Sequence, residues 1–186
     1  MKVNDPEPIL SSNMIVTADY QSIQWESTLT FKVHVNNPLD PDSSIAITMS
    51  DDFTVPSAFE TVTIKTIDDT SAEAYPLCGS PAATTERCYN WDVGTATIVF
   101  NKFNPEYVPL QTNIYIEVGK VNNPVQAGPS STFSYVLSDA EANPIETVTA
   151  GVFFYTTAGG FSEIEISAPA SKRTINEANV PFTFRM

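Results

Sequence analysis

From Leu29 to Val35 every second residue is apolar: Leu29, Phe31, Val33 and Val35 alternate with Thr30, Lys32 and His34. Successive side chains of a strand point to opposite faces, so this spacing predicts a β-strand with one buried and one wet face. Met14, Val16 and Ala18 repeat the pattern and predict a preceding strand, with residues 21–27 as the loop between them. Asn36-Asn37-Pro38 ends the second strand, because proline has no N–H to give to a ladder. Ile45, Ile47 and Met49 open a third strand, which Asp51-Asp52 breaks. Residues 59–67 predict a fourth, with Val62 and Ile64 on one face. Residues 95–100, 113–118, 132–137 and 147–157 predict four more, rich in β-branched and aromatic residues and bounded by Asn, Pro and Gly. Residues 72–90 read as a long loop, and no segment has a helical period. About eight short strands with a filled interior predict an all-β chain folded as an immunoglobulin-like β-sandwich. Phe31, Val33, Val35, Ile114, Ile116, Phe133 and Tyr135 are expected in one core.

The opening pattern returns after roughly 150 residues, a period that suits one domain of a modular array. Ser12-Asn13-Met14-Ile15-Val16-Thr17-Ala18 is answered by Ser162-Glu163-Ile164-Glu165-Ile166-Ser167-Ala168, and Thr30-Phe31-Lys32-Val33 by Thr183-Phe184-Arg185-Met186. The expected division is a linker over 1–13, one full module over 14–160, and two strands over 161–186. Those two strands either begin a second module or are donated to a neighbouring copy. Gly159-Gly160 is the break before them. Ile164, Ile166, Phe182, Phe184 and Met186 form their apolar stripes and are the expected assembly contacts, since such stripes cannot stay in water.

Composition narrows the partners. Twenty-two Asp and Glu against nine Lys and Arg give a formal charge of -13, which repels nucleic acid phosphates and anionic membranes. No apolar run reaches the length of a membrane span, and residues 1–13 contain no signal-peptide core, so membrane insertion is not expected. Cys78 and Cys88 lie ten positions apart in a Pro-, Gly-, Ser- and Thr-containing stretch. That spacing favours a loop-closing disulfide over half of a zinc site, and an extracellular or cell-surface location follows from it. An immunoglobulin-type bridge between facing strands is not expected from two cysteines in one loop. No Asn-x-Ser/Thr sequon occurs, so a glycan on this chain would be O-linked.

Catalytic chemistry finds no constellation, and an enzyme is not expected. His34, the one histidine, falls on the polar face of its strand and reads as a solvated residue. The pairs Asp51-Asp52 and Asp68-Asp69 diverge on extended backbone, whereas glycosidase carboxylates face one another. Calcium is the one cofactor with candidate ligands, Asp40 and Asp42, Asp51 and Asp52, or Asp139 and Glu141, because loop carboxylates suit a hard cation. The bland alternative is that these acids are simply hydrated. Trp25, Tyr89, Trp91 and Tyr107 could stack on sugars, against a default of core or interface packing.

Phe-Lys-Val-His-Val-Asn-Asn-Pro at 31–38, the paired cysteines, and Val-Asn-Asn-Pro-Val-Gln-Ala-Gly-Pro-Ser-Ser-Thr-Phe-Ser-Tyr at 121–135 resemble tandem modules of very large surface proteins of ciliate protists. The resemblance covers most of residues 14–160 and implies an extracellular, fibrous or coat-forming role. The expected function is a structural module that meets other copies head to tail in a filament or cell-surface coat. The alternative is adhesion or glycan binding through residues 72–90, with or without calcium.

Overall fold

A computed structural model describes residues 13–56, 59, 61–66, 73–80, 86–158, 165–167 and 183–185. Among the described residues fourteen strands run in chain order: β1 (Met14–Ala18), β2 (Glu26–His34), β3 (Ser44–Thr48), β4 (Val62–Thr66), β5 (Glu73–Ala74), β6 (Cys88–Asp92), β7 (Thr97–Asn101), β8 (Asn113–Asn122), β9 (Gly128–Pro129), β10 (Phe133–Ser138), β11 (Pro144–Val152), β12 (Tyr155–Thr156), β13 (Glu165–Ser167) and β14 (Thr183–Arg185). They form one sheet in the order β1-β2-β8-β4-β5 and a second in the order β11-β10-β3-β7-β6. The small pairs β12-β9 and β13-β14 complete the set. Placing A, B, E and D on β1, β2, β8 and β4, and C, F and G on β3, β10 and β11, reproduces the immunoglobulin division of strands between two sheets. The pair β6 and β7 extends the second sheet beyond β3.

The alternation seen in sequence becomes the core. Leu29, Phe31, Val33, Ile114, Ile116, Phe133, Tyr135 and Leu137 are fully buried, and Val35 joins them. Phe31 of the first sheet meets Phe133 of the second edge to face, ring centroids 5.7 Å apart, and Phe53 continues the stack at 5.3 Å from Phe133. Such pairs add to the burial term, which is of order 25 cal/mol per Å² of apolar surface. Gly119 in β8 lies so close to Thr61 that a Cβ there would collide with it.

Chain direction follows from the pairing. Met14 stands opposite Val33 near the end of β2, while β2 begins at Glu26 opposite Asn122. Thr157 bridges Ser22, just before β2 begins. The chain therefore enters the sandwich at the end holding Met14 and His34, and leaves it at the opposite end, beside Ser22. Asn13, expected in the linker, is buried.

Three expectations change. Residues 72–90 are not one loop, because β5 and the first part of β6 fall within them. Cys88-Tyr89-Asn90 pairs with Asn101, Phe100 and Val99; Tyr89 and Trp91 alternate too briefly, in a turn-rich setting, for the strand to show in sequence. Asn113–Val118 extends to Asn122 as β8, and the segment 147–157 divides into β11 and β12 at Phe153 and Phe154. In β13 and β14 the backbone register is Glu165 opposite Arg185, Ile166 opposite Phe184 and Ser167 opposite Thr183. In β1 and β2 it is Ile15 opposite Lys32, Val16 opposite Phe31 and Thr17 opposite Thr30. The second hairpin thus pairs the residues that the sequence repeat sets in correspondence.

Candidate functional site

At the exit end two loops and the short strand β12 present large apolar side chains to solvent. Tyr20, Trp25, Val125 and Tyr155 are 54%, 57%, 61% and 63% exposed. Tyr20 and Trp25 lie against each other with ring centroids 5.6 Å apart. A buried asparagine fixes their loop. The Asn123 side-chain carbonyl accepts from Ser27 Oγ at 2.7 Å, and its amide donates to the carbonyls of Tyr20 at 2.8 Å and Ser22 at 2.9 Å. Its backbone N–H donates to the Trp25 carbonyl at 2.9 Å. The neighbouring loops are tied in the same way: Gln24 N–H donates to the Pro124 carbonyl at 3.2 Å, and Thr156 Oγ1 to the Gln126 carbonyl at 2.6 Å. Satisfied buried networks of this kind hold one geometry.

At the entry end the exposed apolar residues are Tyr107 and Leu110, in the connection between β7 and β8. Beneath it Glu146 of β11 is wholly buried, and its Oε1 accepts from the backbone N–H groups of Asn36 at 2.7 Å and Asn37 at 2.5 Å. Burial raises the Glu146 pKa, and those donors oppose the rise. The Tyr135 hydroxyl is close enough to couple to this carboxyl, and burial, then the charge of Glu146, pushes its pKa up. No hydrogen bond of acceptable geometry joins Tyr135 to Glu146 Oε2.

The cation candidates lie in loops, and two of them, Asp139 and Asp52, accept backbone hydrogen bonds. Asp139 accepts from the N–H groups of Glu141 at 3.0 Å and Asn143 at 2.7 Å, and bonds from the Asn143 side chain and backbone lower its pKa. Asp52 accepts from the Ser131 N–H, the largest cause of its own lowered pKa, while Asp51 is exposed. The Asp40 backbone carbonyl receives Ser43 Oγ and Asn104 Nδ2, and Asp42 has a φ of 66° in its turn. Among the described residues no three His, Cys, Asp or Glu side chains converge as a metal site. His34 is half-buried, with Nδ1 3.0 Å from Asn113 Oδ1, so it is less solvated than expected.

The cysteines form a disulfide, Cys78 to Cys88, with Cα atoms 5.0 Å apart. It holds residues 76–78 parallel to the outer edge of β6: Tyr89 N–H donates to the Pro76 carbonyl at 2.9 Å and Cys78 N–H to the Tyr89 carbonyl at 2.8 Å. Arg87 reinforces this flank through Glu73 at 2.7 Å and the carbonyls of Lys102 and Phe103. Of the aromatic candidates, Tyr89 and Trp91 pack on Phe59 at 6.0 and 5.1 Å, whereas Trp25 and Tyr107 face solvent.

Ile166 and Phe184 occupy facing positions in β13 and β14, and Ile164, Phe182 and Met186 lie outside the described residues. Asn123, Glu146, Tyr20, Val125 and Tyr155 were not singled out from sequence. A faint signal for Asn123 is the shared Val-Asn-Asn-Pro of residues 35–38 and 121–124.

No family model matches the chain, and no curated protein matches it. The resemblance to ciliate modules finds no support in either comparison. Among solved structures the chain is similar to the collagen-binding domain of the Erysipelothrix rhusiopathiae surface protein RspB, at TM-score 0.42 and 9% identity over 77% of this chain and 44% of that one. It is also similar to the collagen-binding subdomain of the Enterococcus faecalis surface protein ACE, at TM-score 0.44 and 12% identity over 76% of this chain and 96% of that one. A third is the collagen-binding domain of a Staphylococcus aureus adhesin, at TM-score 0.43 and 12% identity over 80% and 97%.

Proposed function

We propose that residues 14–158 are a structural module of an extracellular filament or cell-surface coat, joined head to tail with further modules of the same kind. The observation that carries this is directional: the polypeptide enters at the Met14 end and leaves at the Ser22 end, so successive modules extend a line rather than fold back. The matched registers of β1-β2 and β13-β14 support a second module beginning after residue 160. A heterologous contact of this sort propagates as a filament when its rotation does not close a ring. The disulfide favours an oxidising, extracellular setting.

The hairpin begins the next module of one polypeptide or supplies strands to a neighbouring copy. A chain ended at residue 160, mixed with a peptide of residues 161–186, separates these cases. Capture of the peptide by a monomeric truncated chain would establish donation between copies. Absence of capture, with self-association also absent, is the result expected of a covalent array. Undiminished polymerisation of the truncated chain would remove the hairpin from assembly altogether.

Adhesion through residues 72–90 has less support, because the disulfide, the parallel bridge and the Arg87 contacts tie its residues 76–78 and 87–89 to the sheet edge.

A further inference from the structure

We infer that the exit-end surface formed by Tyr20, Trp25, Val125 and Tyr155 is the seat of an intermodule interface, occupied by the unit that β13 and β14 open. This rests on the proposed end-to-end array and names its contact surface. The first observation is exposure: four large apolar residues, on the loops holding Tyr20, Trp25 and Val125 and on strand β12, face solvent at this end, and Tyr20 and Trp25 touch, as at an end surface that marks a partner site. The second is rigidity, since Asn123 binds the Tyr20–Trp25 loop through its side chain and backbone, so little ordering cost remains for a partner to offset. The third is covalent reach. Thr157 lies beside Ser22 within this surface, and only residues 159–164 separate Ala158 from Glu165. That connector spans at most roughly 25 Å even when fully extended. The hairpin is therefore held near the patch at an effective concentration in about the millimolar range, where a weak apolar contact is well occupied. Tyr20 and Trp25 have the chemistry of interface anchors, large rings with a polar tip. The four residues themselves are uncharged, with Asp19 and Glu26 beside them in sequence.

Acrylamide quenching of Trp25 tests this in the full chain carrying Trp91→Phe, which leaves Trp25 as the single tryptophan. The reference is the same variant ended at Ala158, which retains β1–β12 and the whole buried core of residues 14–154. An aromatic anchor at the centre of an interface is desolvated, so the quenching constant should be about threefold lower in the full chain. Tyr20→Ala in the full chain should return it toward the reference. Amide exchange at residues 165–167 and 183–185 is measured on the same sample. Equal quenching in the two chains with protected hairpin amides would overturn the interface and leave the array standing. Equal quenching with freely exchanging amides would count against both. Shielding of Trp25 by added soluble oligosaccharide, with none from the hairpin, would make the surface a sugar platform and overturn the inference.

Discussion

Ile166 stands opposite Phe184 in β13 and β14, as Val16 stands opposite Phe31 in β1 and β2. A shift of one residue would turn each strand's side chains to the opposite face, so register is a specific property of a strand pair. The second hairpin has the pairing that starts the first module, although its loop is about three residues longer.

Cysteines introduced at Ile166 and Phe184 should accordingly cross-link on mild oxidation, since directly opposed strand residues have Cα atoms about 4.5 to 5.5 Å apart. The control pair, Ser167→Cys with Arg185→Cys, is displaced by two residues and should not. Peptide mass mapping reads both, and a bridge forming only in the control pair would refute the register.

Phe31→Ala should cost about 3 to 5 kcal/mol, because it empties a fully buried site and removes the contact with Phe133. Denaturant unfolding measures the loss. An unchanged midpoint would mean that the two sheets do not meet there.

Free-thiol titration of the unfolded, unreduced protein should find no reactive cysteine. Replacing both cysteines by serine should lower stability by about 2 to 3 kcal/mol in the chain-entropy account of loop closure. The edge of β6 that residues 76–78 cover should then exchange its amides faster.

Glu146 predicts a pH dependence of definite sign. Burial raises its pKa in the folded state, so the folded chain binds this proton more tightly, and stability from this group falls as pH rises from the ordinary value of 4.5 through the folded value. Glu146→Gln keeps an oxygen for the N–H groups of Asn36 and Asn37 but carries no charge. Its melting temperature should gain on that of the parent protein between pH 4 and 7. A difference that is flat, or that shrinks with pH, would contradict the assignment. Glu146→Ala leaves those donors without their acceptor and should destabilise by about 1 to 3 kcal/mol.

The sandwich was legible because its central strands alternate over many residues, as Leu29 to Val35 do, and burial of one face leaves a period of two in the sequence. The edge strand β6 was not, since five residues with two inward aromatics carry too little periodicity beside a turn-rich stretch. The exit surface was hidden for a different reason. Tyr20, Trp25, Val125 and Tyr155 are scattered over the chain, and their segments are tied together by the anchors of Asn123, the Gln24–Pro124 and Thr156–Gln126 bonds and the Ser22–Thr157 bridge, which no local spacing announces. Glu146 falls just before the strand expected over 147–157, and only the fold shows two backbone donors closing on it. The loop carboxylates could be chosen as cation candidates from sequence, but sequence could not show that Asp139 accepts bonds within its own turn or that Asp52 accepts from the distant Ser131 N–H.

Negative-stain imaging of the native material tests the head-to-tail arrangement most directly. Strands of nine or ten residues span about 30 Å, and loops at both ends bring a module to roughly 40 Å. The expected image is an extended string of beads or a fibre with an axial repeat near that length. Discrete compact particles, each the size of one sandwich and showing no end-to-end contact at any concentration, would contradict it.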